Sequence, residues 1–278
     1  MVNVRTALKN GIAQLREANV PSFTLAAELL LLHVLSRNRT WLYAHPEEIL
    51  TDGEEQRYFE LITRRAAGEP TQHLTGKQEF WDLEFEVSHD VLIPRPETEH
   101  LVEALLNRIR HDAPLRIADI GTGSGAIAAA LANALPHAII TALDNSAPAL
   151  AIAQQNAARH NLASRIRFLE SDLLSAVEGE IFDAIVSNPP YVPEEEVLEE
   201  QVRNFEPHTA LYAGPSGLEI YRRLIPQALT ALNPQGWLLM EIGHGQRDDL
   251  AQLLSQWNDV IFVEDLQGIP RVAIARRP

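Results

Sequence analysis

Residues 115–125 read Leu-Arg-Ile-Ala-Asp-Ile-Gly-Thr-Gly-Ser-Gly, an apolar strand pattern that runs into three glycines at alternate positions. The apolar residues 126–135 that follow indicate a helix, so the glycines form a tight turn from strand to helix. Glycines let the backbone approach a ligand without an intervening Cβ, and the start of a helix offers free N–H groups. The stretch therefore predicts a ligand-binding loop, with a ligand-free turn as the alternative.

Strand and helix patterns alternate along the chain from this stretch onward. The predicted strands are 115–120, 138–144, 166–170, 182–187, 237–242, 260–264 and 271–275, and the predicted helices between them are 125–135, 147–160, 218–232 and 247–257. Such alternation indicates an α/β domain with a mostly parallel sheet covered on both faces. Only a short loop around Gln267-Gly268 separates the last two strands, so we expect them to pair antiparallel at one edge.

The first 75 residues predict a small helical bundle instead. Apolar residues recur at helical spacing within residues 4–18. Ser22 can cap a second helix that runs to Leu35, and Asp52 can cap a third.

A β-hairpin is predicted between the bundle and the sheet. Residues 81–87 alternate apolar and polar side chains, residues 88–90 are turn-like, and residues 91–93 are apolar again. A helix over residues 101–111 follows the hairpin. The predicted organisation is a helical bundle, a hairpin linker and an α/β domain, at residues 1–75, 76–98 and 99–278.

Composition excludes several functional classes. The 278 residues include 38 Asp and Glu against 23 Lys and Arg, and the formal charge of −15 argues against stable nucleic-acid binding. The absence of cysteine excludes disulfides, Cys-ligated zinc and a thiol nucleophile, and the ten histidines show no His-x-x-x-His spacing, so we expect no metal. Residues 1–6 show no secretory signal and no apolar run is long enough to span a bilayer, so we expect a cytoplasmic protein.

Asp119 helps to identify the ligand of the glycine loop. Gly121, Gly123 and Ala126 satisfy a relaxed dinucleotide fingerprint, so an NAD-dependent dehydrogenase is one alternative. However, Asp119 places a negative charge where a pyrophosphate would arrive. A ligand with an ammonium group or a sulfonium centre, such as S-adenosyl-L-methionine, suits that charge better.

Two further carboxylates follow the second and third strands. Asp144 can accept hydrogen bonds from both hydroxyls of a ribose, or it can cap the helix that begins near Ser146. Asp172 can meet the amino group of an adenine, with a capping role as the alternative.

The box Asn188-Pro189-Pro190-Tyr191 follows the apolar strand 182–187. Two prolines cannot continue a strand ladder, so the chain must leave the sheet where open α/β sheets bind their ligands. The side-chain carbonyl of Asn188 and the proline-flanked backbone carbonyl form a rigid pair of acceptors, and Tyr191 adds a flat wall. Such a pair can hold both hydrogens of a planar NH₂ group and direct its lone pair at a methyl donor. The alternative is a proline-rich turn with a capping Asn.

These motifs resemble those of class I S-adenosylmethionine-dependent methyltransferases. More narrowly, the whole chain resembles the PrmC/HemK family, which methylates the glutamine amide in the Gly-Gly-Gln loop of bacterial class I peptide-chain release factors. Besides the glycine loop and the box, the resemblance is carried by Gly76 with Glu79-Phe80-Trp81, by residues 92–99, by Phe205-Glu206-Pro207 with Ala210-Leu211, and by Gly217-Leu218.

The resemblance implies a Rossmann-like seven-stranded methyltransferase domain after a helical N-terminal domain that docks the release factor. It also implies a monomeric enzyme that transfers a methyl group to N5 of the glutamine and releases S-adenosyl-L-homocysteine. The implied catalytic residues are Asn188, Pro189 and Tyr191, and Pro190 completes the substrate pocket. The implied cofactor-binding residues are Asp119, Gly121, Thr122, Gly123, Ser124, Gly125, Asp144, Asp172, Leu173 and Asn188. Leu173 stands where some members carry an aromatic residue, so ring stacking on adenine is lost.

Other functions remain open at this point. A DNA or RNA N6-adenine methyltransferase would use the same Asn-Pro-Pro-Tyr pocket for a flipped base. A non-catalytic adaptor could keep the fold without binding the cofactor. Arg95 and Glu97 either shape the rim of the pocket or form a structural ion pair.

Overall fold

The computed structural model describes residues 2–278; residue 1, at which the predicted N-terminal domain starts, lies outside the described residues. The helices are α1 (Val4–Glu17), α2 (Phe23–Leu35), α3 (Arg39–Ala44), α4 (Asp52–Ala66), α5 (Thr71–Thr75), α6 (Glu99–Leu106), α7 (Ala126–Ala134), α8 (Ala147–Arg159), α9 (Glu200–Phe205), α10 (Glu219–Ala231) and α11 (Arg247–Leu253). The strands are β1 (Lys77–Phe80), β2 (Leu83–Glu86), β3 (Arg116–Ile120), β4 (Ile139–Asp144), β5 (Ile166–Glu170), β6 (Phe182–Ser187), β7 (Leu232–Glu241), β8 (Asn258–Glu264) and β9 (Pro270–Arg276).

The described residues form two compact units. One unit contains residues 2–77 and 198–205, and the other contains residues 78–197 and 206–278. The first unit is helical, and the second contains the sheet together with nearly all of the hairpin. No helix within residues 2–278 is both long enough and apolar enough to cross a membrane.

The three helices predicted for the first unit form as α1, α2 and α4, and the unit also contains the short helices α3, α5 and α9, but the caps of α2 and α4 differ from the prediction. Ser22 precedes α2 with φ +50° and makes no capping hydrogen bond, because a capping side chain needs an extended backbone at that position. Helix α4 is capped by Thr51, which forms a reciprocal capping box with Glu54, so Asp52 is the first helical residue rather than the cap.

Close packing between α1 and α4 makes Gly11 a sensitive position. A Cβ on Gly11 would lie 2.1 Å from the hydroxyl oxygen of Tyr58, which is fully buried. We expect Gly11→Ala to lower the free energy of unfolding by about 1–3 kcal/mol because the tyrosine must move. Urea unfolding of the full chain measures the effect.

Gly53→Ala is the matched control, because a Cβ at Gly53 in α4 would meet no atom within 4 Å. The control should be neutral or stabilising by up to about 1 kcal/mol. Equal stability of Gly11→Ala and the wild type would contradict the packing described here.

The hairpin has its turn at a different place from the predicted one. Strands β1 and β2 pair across Trp81 and Asp82, whose φ angles of +50° and +59° match the two left-handed residues of a type I′ turn. Residues 88–91 do form a turn, in which the Val91 N–H donates to the Ser88 carbonyl at 3.3 Å. Residues 91–93 form no strand, however, so the prediction that this turn joins the strands of the hairpin is wrong. Trp81 is not a typical left-handed residue; its backbone N–H donates to Glu99 Oε1 at 2.9 Å, which holds the turn.

The second unit is built on a seven-stranded sheet in the order β5-β4-β3-β6-β7-β9-β8. The first five strands are parallel, and β9 runs antiparallel to both β7 and β8. The fold class and the antiparallel edge are therefore confirmed. Strand β7 begins at Leu232, earlier than predicted, and its pairing with β6 shifts register between Leu232 and Trp237. This stretch includes Gly236, where a Cβ would lie 2.9 Å from the Asn233 carbonyl oxygen.

The sheet brings the predicted motifs to one edge. Strand β3 lies between β4 and β6, so the loops that follow these three strands are neighbours. The Ser187 hydroxyl donates to the Ile120 carbonyl at 2.8 Å, which ties the end of β6 to the end of β3. This strand order creates the crevice in which open α/β sheets bind ligands.

Candidate functional site

A cavity of about 340 Å³ lies at this edge of the sheet. The loops after β3, β4, β5 and β6 all contribute to its wall. The predicted site residues that line it are Gly121, Thr122, Gly123, Ser124, Asp144, Asp172, Leu173, Asn188, Pro189 and Pro190. Asp119, Gly125 and Tyr191 do not line it. Within residues 2–278, no group of three or more His, Asp or Glu residues is arranged to hold a metal ion.

The glycine loop is held against the end of β4. The N–H groups of Gly121 and Thr122 both donate to the Leu143 carbonyl, at 2.8 and 3.0 Å. Gly123 has φ +54°, and a Cβ there would extend into open space beside the cavity. Gly125 has a different role, because a Cβ there would lie 3.0 Å from the Cβ of Ala153 in α8. Gly123 therefore leaves the loop open to a ligand, whereas Gly125 permits close helix packing.

Asp119 lies beneath the loop and is fully buried. Its Oδ2 accepts a hydrogen bond from the Thr122 hydroxyl at 2.6 Å, while Oδ1 has no hydrogen-bond partner among the described residues. Burial raises the pKa of Asp119 to about 7. The structure thus places the carboxylate below the cavity wall, where it holds a residue of the loop.

Asp144 links the glycine loop to the segment that follows β4. Its Oδ2 accepts from the Gly123 N–H at 2.8 Å and its Oδ1 accepts from the Ser146 N–H at 2.9 Å. Burial raises the pKa of this carboxyl, while these backbone donors oppose the shift. Helix α8 is capped by Ser146, so the alternative of Asp144 as the cap is wrong. Since a carboxylate has about four lone-pair sites, Asp144 keeps acceptor capacity at the cavity.

Asp172 and Leu173, in the loop after β5, also line the cavity. Asp172 Oδ2 is 2.5 Å from Arg223 Nη2, and both residues line the wall. Leu173 has φ +53°. Arg223 lies in α10, far along the chain from Asp172, and no local sequence signal marks it.

The Asn-Pro-Pro-Tyr box places Asn188 at the cavity with a defined orientation. Asn188 Nδ2 donates to Thr98 Oγ1 at 3.1 Å, which leaves the side-chain carbonyl Oδ1 as the free acceptor. Pro189 is buried, and no backbone N–H of residues 2–278 donates to its carbonyl oxygen. The Asn188 Oδ1 and the Pro189 carbonyl oxygen are therefore both free of hydrogen-bond donors among residues 2–278.

Tyr191, which the sequence predicts as a flat wall of the pocket, does not line the cavity. Its hydroxyl donates to Glu241 Oε1 at 3.3 Å, and its carbonyl accepts from Gln246 Nε2 at 2.9 Å. The tyrosine that lines the cavity is Tyr212, which stacks on His208 with ring centroids 4.2 Å apart. Tyr212 lies outside the box, so the sequence analysis missed it.

Arg95 combines both roles considered for it. It lines the cavity, and its guanidinium is 2.5 Å from Glu206 Oε1, a buried carboxylate whose Oε2 also accepts from the Ile93 N–H. The ion pair joins the residues that follow the hairpin to the start of the segment at residues 206–212. Glu97, by contrast, is exposed.

Comparison with known proteins identifies both parts of the chain. Residues 6–76 match the PrmC N-terminal domain family, and residues 97–208 match the methyltransferase small domain family.

The fold is also that of solved methyltransferases. RsmC, a T. Thermophilus 16S rRNA methyltransferase solved with AdoMet and guanosine, gives a TM-score of 0.55 at 18% identity over 73% of this chain and 50% of that one. The hMettl16 catalytic domain gives a TM-score of 0.56 at 22% identity over 85% and 84%.

Relatives at higher identity extend along the whole chain. The "Release factor glutamine methyltransferase" of Koribacter versatilis is 48% identical over 280 residues, which cover 100% of this chain and 99% of the relative. Those of Coxiella burnetii and Escherichia coli are 40% and 43% identical and cover at least 97% of both chains. Identity of this degree, over both the helical and the sheet-containing unit, shows that the chain belongs to the release factor glutamine methyltransferase family.

Proposed function

We propose that this enzyme transfers the methyl group of S-adenosyl-L-methionine to N5 of the glutamine in the Gly-Gly-Gln motif of bacterial class I peptide-chain release factors. The observation that carries the proposal is that Asn188 and Pro189 both line the cavity and that Asn188 Oδ1 and the Pro189 carbonyl have no donor among residues 2–278. The names of the full-length relatives support the same substrate. An enzyme acting on release factors would work in the cytoplasm.

The residues around the cavity fit the proposed cofactor. The backbone of Gly121, Thr122, Gly123 and Ser124 would bind its methionine part, because the open space at Gly123 allows close approach. When bound, S-adenosylmethionine supplies an electrophilic methyl carbon on a sulfonium. Asp119 lies below the cavity wall, so we assign it an indirect role in holding Thr122 and in lowering the local potential for a cationic ligand.

The ribose and the adenine would be held by the loops after β4 and β5. The remaining acceptor capacity of Asp144 suits two ribose hydroxyls. Asp172 and Leu173 would contact the adenine, with Arg223 fixing the Asp172 carboxylate in place.

The substrate amide would be oriented by two fixed hydrogen-bond acceptors, and the reaction would not need a general base to activate it. Asn188 Oδ1 and the Pro189 carbonyl each accept one N–H of the glutamine NH₂ group, so the plane of the amide is set by the protein. Pro190 and Tyr212 complete the wall around it. Rigid positioning of two reactants can contribute about 7–11 kcal/mol to rate enhancement. No base needs to act before transfer, because the nitrogen becomes acidic only once it is methylated.

Methyl transfer with a labelled donor tests this proposal. The full-length enzyme is incubated with S-adenosylmethionine that carries a labelled methyl group in three parallel reactions, which contain a release factor, a DNA duplex or an RNA. We expect label in the release factor alone. Label in DNA or RNA would instead support the N6-adenine alternative, against which the formal charge of −15 argues. An adaptor without activity would label none of them and would not bind the donor.

A further inference from the structure

Asn188 is the first member of a series of hydrogen bonds that extends into the protein interior. The series connects Asn188 in the loop after β6 to Thr98 in the 3-10 turn Pro96–Thr98, and Thr98 to Glu241 at the end of β7. We propose that Thr98 and Glu241 are positioning residues that orient the Asn188 amide, so that its carbonyl oxygen rather than its NH₂ group faces the substrate nitrogen. This inference rests on the proposed function and adds to it the two residues that orient the Asn188 acceptor.

The orientation follows from counting donors and acceptors. Thr98 Oγ1 lies 2.6 Å from Glu241 Oε2, the short distance typical of a hydroxyl that donates to a carboxylate. A threonine hydroxyl has a single hydrogen, and an ionised carboxylate can only accept. Once Thr98 donates to Glu241, it can only accept from Asn188, and only Nδ2 of Asn188 can donate. The side-chain carbonyl of Asn188 must then point the other way, and it makes no other hydrogen bond among residues 2–278.

Glu241 is itself anchored on several sides. Its Oε1 accepts from the Tyr191 hydroxyl at 3.3 Å, and its backbone carbonyl accepts from the Tyr221 hydroxyl at 2.8 Å. Glu97 and Arg271 are the charged groups whose fields reach it, the first favouring the protonated carboxyl and the second the ionised one. Tyr191 of the box therefore contributes indirectly, because its hydroxyl donates to the carboxylate that orients Thr98.

Protonation of Glu241 would reverse the donor and acceptor roles in the hydrogen bonds from Asn188 to Thr98 and from Thr98 to Glu241. Burial, which leaves Glu241 only 3% exposed, raises its pKa to about 7. Below that pH the carboxyl can donate to Thr98, and Thr98 can then donate to Asn188 Oδ1 and occupy the acceptor that the substrate needs. The turnover of the saturated enzyme should therefore fall as the pH decreases through about 7.

Substitutions at Thr98 test the inference. Thr98→Val keeps the shape of the side chain but removes the hydroxyl, and Thr98→Ser retains the hydroxyl. We expect Thr98→Val to lower kcat with a release factor by about 10- to 100-fold, because a misoriented acceptor costs rate rather than donor affinity. The Kd for S-adenosylhomocysteine, measured by calorimetry, should stay within about 2-fold, and Thr98→Ser should recover most of the lost kcat. Thr230→Val is the matched control, since Thr230 is exposed and bonds only its own helix.

Glu241→Gln provides a second test that does not depend on the folding of Thr98→Val. Glutamine does not titrate, so the decline of kcat below about pH 7 should disappear in this variant. Burial also raises the pKa of Asp119 to about 7. Asp119 contacts Thr122 of the glycine loop, so we expect its protonation to change donor affinity, and a saturating donor concentration removes that effect from kcat.

The outcomes separate this inference from the proposed function. If the wild type methylates no release factor, the proposed function fails. If the wild type is active and Thr98→Val keeps a wild-type kcat, or loses donor affinity instead of kcat, the inference is overturned while the function stands. Retention of the acid decline in Glu241→Gln overturns it as well.

Discussion

Replacing Asn188 by alanine should lower kcat by at least about 100-fold while the donor still binds with nearly wild-type affinity. In the proposed mechanism the side chain supplies one of the two acceptors for the substrate amide, and the bond from Nδ2 to Thr98 leaves its Oδ1 free to accept. Loss of that acceptor leaves the NH₂ group free to rotate away from the line of attack. The family resemblance includes Asn188 among the cofactor-binding residues, but the glycine loop makes no side-chain hydrogen bond to Asn188 among the described residues, so we expect donor binding to change little.

Single-turnover kinetics with a release factor, combined with calorimetry of S-adenosylhomocysteine, separate these two effects. Asn107→Ala is the matched control, because Asn107 is an exposed residue at the end of α6 and does not line the cavity. Near-normal turnover in Asn188→Ala would remove the Asn-Pro-Pro-Tyr box from the mechanism.

Asp144→Ala should have the opposite signature and weaken donor binding by at least about 100-fold. Its carboxylate accepts from the N–H groups of Gly123 and Ser146, so its removal loosens the glycine loop as well as the proposed contact with the ribose. A hydrogen bond to a charged group contributes about 1.5–3 kcal/mol, and loss of one such bond alone reduces affinity by about 10- to 150-fold.

Calorimetric titration with S-adenosylhomocysteine measures this loss, and kcat at saturating donor should recover towards the wild-type value. Asp112→Ala removes the same charge from an exposed pair with Arg110 and should leave affinity unchanged. An unchanged Kd in Asp144→Ala would refute the ribose assignment.

The fold was predictable where the pattern of side chains reflects burial. The strands of the parallel sheet are apolar runs bounded by turns, and β5 and β6 have the bounds that the sequence predicts. The hairpin turn was not predictable, because Trp81 adopts a left-handed backbone angle that its residue type does not signal, and its N–H is bound by Glu99 in α6. The cap of α4 differs because Thr51 and Asp52 both carry side chains that can cap a helix, whereas Ser22 does not cap α2 because its backbone is left-handed.

The candidate site was predictable to the extent that its residues directly follow strands. Gly123, Asp144 and Asn188 come together because the sheet order places three strand ends side by side. The partners that orient them were not predictable from spacing. Thr98 is 90 residues from Asn188 and 143 residues from Glu241 along the chain, and only the fold brings the three into contact.

Tandem mass spectrometry of a release factor after reaction with the wild-type enzyme tests the central claim most directly. The account predicts one added methyl group per factor, located on the side-chain amide nitrogen of the glutamine in Gly-Gly-Gln. A methyl group on any other residue, or an unmodified glutamine after complete consumption of the donor, would contradict it.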